Sequence, residues 1–356
     1  MRVAIRTDAS IQSGTGHFFR CLTLAQDLKL KGVDSVFVCR KLSQDLSRLL
    51  LEKGFPVLAL KRSFEEEDWD LDLPEMQLEF GRSGKRLDWL IVDQYSLDRR
   101  WESQAREFAK RIMVIDDLAN RKHDCDLLLD QNYYQDSATR YLNLVPAHCV
   151  QLLGPEYALL RSEFRISRSK LRRRSGEVRR VLVFFGGSDP TGESLKAVEG
   201  IERFSSNTDM RFDLVVGALN PSREDLVARA RKLPYLTVHT ETRQMGKLME
   251  SADLSLGAGG TTTWERCRLG LPALVTIVAG NQRQVAEELS SFGAIQNLGW
   301  HEDVSTDFLY ESMVSVCGDR DRVRNMSQKA LEVMGTSLDS NELKAVGAIL
   351  EADFAG

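Results

Sequence analysis

Short apolar runs separated by helix-like segments constrain this chain more than any other feature. In the first half they are Val3-Ala-Ile, Ser35-Val-Phe-Val, Val57-Leu-Ala-Leu, Trp89-Leu-Ile-Val and Ile112-Met-Val-Ile. A second series follows with Val181-Leu-Val-Phe-Phe, Phe212-Asp-Leu-Val-Val, Leu236-Thr-Val-His, Leu254-Ser-Leu and Ala273-Leu-Val-Thr-Ile-Val. Runs of this size are strands, and strands alternating with helices build βαβ units around a parallel sheet, so the expected class is α/β. Between the two series lies "RISRSKLRRRSGEVRR", Arg165 to Arg180, which has no apolar periodicity. No aromatic side chains interleave with its charges, so it reads as a solvated interdomain linker and not as a nucleic-acid strip. The expected layout is an N-terminal Rossmann-like domain over 1–165, a basic linker over 166–179, a second Rossmann-like domain over 180–335 and a C-terminal helix over 336–356. The two domains are expected to face each other across a cleft. A length of 356 residues suits two cores better than one.

Composition narrows the partners. A formal net charge of -4 and a pI near 5.9 argue against a general nucleic-acid or anionic-membrane binder, leaving small molecules as the expected ligands. The cysteines, Cys21, Cys39, Cys125, Cys149, Cys267 and Cys317, form no C-x-x-C pair, so neither a zinc site nor a disulfide framework is indicated. Reduced thiols in a cytoplasm are the expectation. A strand begins within two residues of the N-terminus, which leaves no room for a signal peptide, and the apolar run from Leu269 to Ala279 is too short to span a bilayer.

Three turns carry the chemistry. After the first strand comes Gly14-Thr15-Gly16, then His17, then Leu22, Leu24, Ala25 and Leu28 at roughly helical spacing, so His17 stands where a strand turns into a helix. Asp93 and Asp116-Asp117 fall just beyond later strands, at the edge where open α/β sheets bind ligands; capping the following turn is the competing role for each. In the second half, "FFGGSDPTGESL" places Gly187 and Ser188 near a helix start. "DLSLGAGGTTTWERCRLGLPALV" repeats the device with Gly257, Gly259, Gly260, Thr261, Thr262 and, in the first helical turn, Glu265. Glycines let a backbone approach an oxyanion, and a helix N-terminus offers free N–H groups; the same residues also serve tight turns for geometry alone. Neither stretch matches G-x-x-x-x-G-K-[ST], and no G-x-G-x-x-G follows the first strand. A diphosphate held without a lysine cradle suits a nucleotide sugar.

"GAGGTTTWERCRLGLPALV" followed by "AGNQRQVAEEL" resembles the nucleotide-binding half of the GT-B glycosyltransferases, in particular those that add N-acetylglucosamine to the peptidoglycan lipid precursor. The resemblance implies that the Gly/Thr run holds the diphosphate, that Glu265 holds the ribose, that Asn281 and Gln282 face the sugar and phosphates, and that the backbone near Met245 lies against uracil. "SGTGHFFRCLTLA", "IVDQYSLD", "VIDDLANRKHDCDLLLDQN", "LLGPEYALLRSEF" and "FFGGSDPTG", in that order, resemble the hydrolases of pseudaminic acid biosynthesis, which cleave UDP-2,4-diacetamido-2,4,6-trideoxy-β-L-altropyranose. Two departures stand out: the acidic insertion from Ser63 to Asp88, expected as a surface loop or cleft-edge helix, and the tail beyond about Asp319, expected to be helical.

The resemblance makes the chain an inverting hydrolase with His17 as the base, a role that its ordinary pKa of about 6.5 suits. The competing role for His17 is to cap its own helix. His123, His148, His239 and His301 lie in no comparable turn and read as structural, His123 least firmly because it follows the Asp116-Asp117 strand end. Arg20, one turn after His17, reaches either a phosphate or acetamido oxygen or makes a salt bridge to Asp93 or Asp117. Tyr95 either bonds the sugar or is an ordinary buried aromatic. No cluster of carboxylates and histidines has metal-ligand spacing, so the expected reaction needs neither metal nor cofactor. The competing functions are a GT-B glycosyltransferase or hydrolase of a related UDP-2-acetamido sugar, and a non-catalytic binder. The N-terminal half shows no apolar and basic stretch for membrane docking.

Overall fold

In the computed structural model, residues 1–9, 15–61, 72–81, 86–165, 170–204, 209–240, 242, 244–335 and 343–354 are described. The chain divides into two compact units, Met1–Arg161 with Glu342–Gly356, and Ser162–Asn341. The first unit runs β1 (Arg2–Thr7), α1 (Gly16–Leu30), β2 (Asp34–Cys39), α2 (Gln44–Glu52), β3 (Val57–Ala59), α3 (Asp72–Met76), β4 (Leu87–Asp93), α4 (Arg99–Ala105), β5 (Ala109–Ile115), β6 (Leu127–Asp130), α5 (Ser137–Arg140) and β7 (Val150–Leu153). Its seven strands are parallel in the order β3-β2-β1-β4-β5-β6-β7. β1 shows why the strands read as unbroken apolar runs. Val3 and Ile5 pack with Phe18 and Leu24 on one face, while Ala4 packs with Leu90 and Trp101 on the other, because helices cover both sides of a parallel sheet.

The second unit runs β8 (Arg180–Phe184), α6 (Glu193–Ile201), β9 (Arg211–Val216), α7 (Arg223–Ala230), β10 (Leu236–Thr240), α8 (Met245–Ser251), β11 (Leu254–Ala258), α9 (Thr262–Arg268), β12 (Ala273–Ile277), α10 (Arg283–Phe292), β13 (Ile295–Trp300), α11 (Thr306–Cys317) and α12 (Arg320–Val333). Its six parallel strands lie in the order β10-β9-β8-β11-β12-β13. A last helix, α13 (Lys344–Phe354), belongs to the first unit, where Leu343, Ala345, Val346 and Ile349 join the core around α1. Each sheet reverses its winding at one place, between β1 and β4 and between β8 and β11. Such switch points are where open α/β sheets bind ligands at the carboxyl ends of their strands.

Every expected apolar run is a strand, and β6, β7 and β13 are added to them. β6 and β7 are joined through 131–149, where the only helix is the one-turn α5, so no βαβ alternation marks them. β13 buries only Ile295 and Leu298 and lacks a continuous apolar signature. In the acidic insertion the described residues 72–81 are helical, with Asp72, Leu73, Met76 and Phe80 buried and Gln77, Leu78 and Glu79 exposed. Asp72 accepts from Arg6 Nε at 2.8 Å and from Arg40, while Leu73, Met76 and Phe80 enter the core beneath β4 and α4. Arg6 also pairs with Asp8 at 2.9 Å, so two carboxylates offset the two buried guanidinium groups. The arginine run also differs from a solvated linker. Arg174 is buried and donates to the carbonyls of Met249, Ala252 and Leu269, and Arg172 donates to those of Ser251 and Ala252 and to Asp253 Oδ1. Arginines there satisfy the orphan carbonyls at the ends of α8 and α9. Of this stretch, 166–169 lie outside the described residues.

Candidate active site

In the first unit, β4 runs beside β1, with Thr7 in register with Asp93. That pairing places Asp93, the last residue of β4, beside the opening turn of α1. Gly14 lies outside the described residues; Gly16 opens α1, and Thr15 makes no side-chain cap. His17 Nδ1 lies 2.5 Å from Asp93 Oδ1, so capping its own helix is not its role. An ionised carboxylate only accepts, so Nδ1 is the donor of this bond, and Arg20 Nη2 lies 3.1 Å from the same nitrogen. No described residue bonds Nε2, and the side chain is 15% exposed. The His17 ring stands edge-on to Tyr95, with centroids 4.6 Å apart.

Arg20 resolves to the ion pair. Its Nε and Nη2 donate to Asp93 Oδ2 and Oδ1 at 2.7 and 2.6 Å, and Nη1 donates to Asp117 Oδ2 at 3.0 Å. A buried guanidinium shared between two carboxylates holds them in place. Burial alone would raise the Asp93 carboxyl, but Arg20 and His17 outweigh it and hold it well below the usual carboxylate range. Tyr95 is half-buried, and its hydroxyl donates to Asp117 Oδ1 at 2.6 Å. Burial, then the Asp117 charge, pushes the Tyr95 phenol far up, so it stays protonated. The dyad partner of His17 was not read from the sequence. The signal was the Rossmann strand order, which puts the end of the fourth strand against the first.

Behind this cluster, His123 is a structural residue. Its Nδ1 meets Glu102 Oε1 at 2.7 Å and its Nε2 lies 3.8 Å from Asp116 Oδ2, both fully buried. Burial would lower its pKa, but bonding to Asp116 and Glu102 prevails and lifts it to about 9. Asp130, at the end of β6, accepts from the Tyr141 hydroxyl at 2.9 Å, and burial pushes its carboxyl up to about 7.

In the second unit the two glycine turns stand side by side at the β8/β11 switch point, with Gly257 in register with Phe184. They are not equivalent. After β8, Asp189 adopts a left-handed φ of 42°, and its carboxylate accepts the first-turn N–H groups of Glu193 and Ser194 at 3.0 and 2.8 Å. The α6 N-terminus is therefore already occupied by an anion of the chain itself, next to buried Ser188, while Gly187 packs against the backbone of Gly217. After β11, Thr261 provides no side-chain cap to α9, and among the described residues no acceptor meets the N–H groups of Gly260, Thr261 or Thr262. Gln282 Oε1 accepts from Gly259 N–H at 3.3 Å and from Val278 N–H at 3.1 Å, which clasps the turn and leaves its amide NH₂ as donor. Asn281 beside it is exposed and Glu265 is buried. Met245 is buried at the start of α8, where Glu163 Oε2 accepts from Gly246 N–H at 2.9 Å. Among the described residues no group of three or more His, Cys, Asp or Glu is placed to hold a metal ion, and no helix is long and apolar enough to cross a membrane.

No protein-family profile matches the chain. It is 25% identical over 294 residues to the UDP-2,4-diacetamido-2,4,6-trideoxy-beta-L-altropyranose hydrolase of Campylobacter jejuni, covering 82% of this chain and 97% of that protein. It is also 25% identical to the spore coat polysaccharide biosynthesis protein SpsG of Bacillus subtilis, over 88% of each chain. An uncharacterized protein of Methanocaldococcus jannaschii is 25% identical over 81% of this chain, which spans only 58% of that relative's length. Among solved structures, MurG of Acinetobacter baumannii matches with a TM-score of 0.66 at 13% identity over 98% of this chain and 99% of its own. UGT2 of Phytolacca americana, complexed with UDP-2fluoro-glucose and pterostilbene, gives 0.68 at 13% identity over the full length of both. UDP-GlcNAc 2-epimerase of Neisseria meningitidis, bound to UDP-GlcNAc, gives 0.65 at 13% identity, again over both full lengths. The fold is of the GT-B class: two Rossmann-like domains built on parallel sheets.

Proposed function

We propose that this chain is a hydrolase that releases UDP from a UDP-acetamido sugar by attack of water at the anomeric carbon. The observation that carries the reading is the His17–Asp93 pair, which orients the imidazole, leaves Nε2 unbonded and provides a buried counter-charge for the imidazolium. In the proposed step the water oxygen bonds C1 while Nε2 takes its proton. The C1–O bond to the β-phosphate breaks, and its electron pair leaves with UDP. A single displacement inverts C1. Arg20 and Asp117 hold Asp93, and Tyr95 steadies the ring. The departing diphosphate needs N–H donors, which the open turn Gly259 to Thr262 offers and the turn occupied by Asp189 does not.

The substrate we infer is UDP-2,4-diacetamido-2,4,6-trideoxy-β-L-altropyranose, a reading supported by the C. jejuni relative, which is matched over nearly its whole length. Transfer of the same kind of sugar to a hydroxyl acceptor is the second reading, favoured by the fold likeness to glycosyltransferases. Incubating the pure protein with UDP-acetamido sugars and no acceptor separates them. Release of UDP, with ¹⁸O from labelled water on the sugar C1 hydroxyl, supports hydrolysis. Label on the UDP phosphate would mean attack at phosphorus and would remove His17 from the proposed role. Glu265→Ala should weaken UDP binding in calorimetry by about tenfold, the scale of one lost charge-assisted bond.

A further inference from the structure

No two cysteines stand at a spacing that suggests a bond, yet the fold brings two of them together. Cys125 stands two residues before β6 and Cys149 directly before β7, strands that neighbour each other in the first sheet. Their Sγ atoms are 3.5 Å apart, although the residues are 24 apart in the chain. Both belong to the core around Trp101, Phe108 and Tyr141. The backbone on either side is fixed by hydrogen bonds: Asp126 N–H donates to the Ile112 carbonyl at 2.8 Å, Val150 N–H to the Asp126 carbonyl at 2.9 Å, and Cys149 N–H to the Pro146 carbonyl at 3.0 Å. Cys21 meets Asp93, and among the described residues no other two cysteine thiols meet.

A disulfide is about 2.05 Å long, so the sulfurs have only about 1.5 Å to close. The two thiols are not alike. Cys125 is 0% exposed, and the neighbouring Cys149 thiol, then burial, pushes its pKa far up, so it stays a thiol; Cys149 is 9% exposed and is the one that an external reagent reaches first. We propose that Cys125 and Cys149 are a dithiol modification site, which closes to a disulfide by exchange with a low-molecular-weight disulfide such as oxidised glutathione. Cys149, as thiolate, attacks one sulfur of the reagent and displaces a thiolate, which takes up the Cys149 proton and leaves a mixed disulfide on Cys149. Cys125 then attacks the Cys149 sulfur while its own proton passes to the second departing thiolate. Two electrons move from the pair to the reagent, which ends as two thiols. The new bond fastens the connection between β6 and β7, where the only helix is one turn long. That connection grips the end of β5: the Tyr134 hydroxyl and Arg140 Nη2 donate to the Asp117 carbonyl, both at 3.1 Å, and the Tyr141 hydroxyl lies 3.0 Å from the Asp116 carbonyl oxygen. The Asp117 carboxylate in turn holds Arg20 and Tyr95, so the fastened segment borders the candidate site. The exchange is independent of the reaction proposed above.

The test incubates the fully reduced protein with mixtures of reduced and oxidised glutathione, traps the remaining thiols with an alkylating reagent, and reads intact and peptide masses without reduction. Wild type should lose two hydrogens, with Cys125 and Cys149 in one linked peptide and Cys21, Cys39, Cys267 and Cys317 alkylated. Cys125→Ser should stop with glutathione held on Cys149, and Cys149→Ser should take up none at Cys125. The closed form should melt about 4 °C or more above the reduced form, because the bond restricts the unfolded chain between the two residues. A linkage between any other two cysteines, glutathione remaining on Cys149 of the wild type, or no loss of hydrogens at a ratio that cross-links the same protein in urea overturns the proposal. A closed bond that leaves the melting temperature unchanged or lowers it overturns the fastening role. If Cys125→Ser does not fold, the wild-type linkage and Cys149→Ser decide.

Discussion

Asp93→Asn tests the proposed chemistry with the smallest change in shape. The carboxylate lies 2.5 Å from His17 Nδ1, which puts the charge centres about 4 Å apart; at an effective dielectric of about 20 their attraction is about 4 kcal/mol. Arg20 Nη2, 3.1 Å from the same nitrogen, opposes the imidazolium, and Asp117 in turn partly neutralises Arg20. The net loss of imidazolium stabilisation is then about 2 to 4 kcal/mol, or a fall in kcat of roughly 30- to 1000-fold. An asparagine amide also offers an N–H to Nδ1, which favours the tautomer with its proton on Nε2 and removes the base. Initial rates of UDP release should be measured for wild type, Asp93→Asn and His17→Asn, with UDP calorimetry and a thermal melt on each. The expected result is a large loss of kcat in both variants with UDP affinity held. Asp93→Asn turning over within threefold of wild type while His17→Asn is inactive would refute the dyad.

Three further predictions need no substrate. Asp130 keeps its proton to about pH 7 when folded and ionises near 4 when unfolded, so stability is fully present below about pH 4 and falls by about 4 kcal/mol as pH rises through 7. Asp130→Asn should flatten that decline in denaturant titrations at pH 5 and 8; an unchanged slope counts against the assignment. His123, raised to about 9, contributes stability that is complete below about 6.5 and lost as pH rises through 9. His123→Gln should cost about 3 kcal/mol at pH 6, and the gap should close by about pH 10, read from unfolding midpoints. Asp72→Asn removes the carboxylate shared by Arg6 and Arg40 while Arg6 keeps Asp8, and should destabilise the first unit by about 1.5 to 3 kcal/mol, checked by chemical denaturation; a loss under about 1 kcal/mol would mean the insertion is not anchored there.

The sequence by itself determined the strands that are continuous apolar runs, the turns at 186–188 and 257–262, and the position of His17 at the start of a helix. These are local properties: an apolar run of strand length, glycine where backbone approaches backbone, and helical periodicity all reside within a dozen residues. β6, β7 and β13 escaped because the first two are joined without a full helix and the third is apolar at too few positions. Only the tertiary structure decided which carboxylate meets which cation. His17 and Asp93 are 76 residues apart, and Arg174 and Leu269 are 95 apart. Asp72, from a stretch hydrophilic by composition, is buried because the arginines at the ends of β1 and β2 need an anion. Likewise Asp189 and Thr261 stand in similar glycine-rich turns, yet the left-handed backbone at Asp189 folds its carboxylate over the α6 N-terminus, while Thr261 gives α9 no side-chain cap. Charge pairing depends on distance through space, which strand order sets and local sequence does not encode.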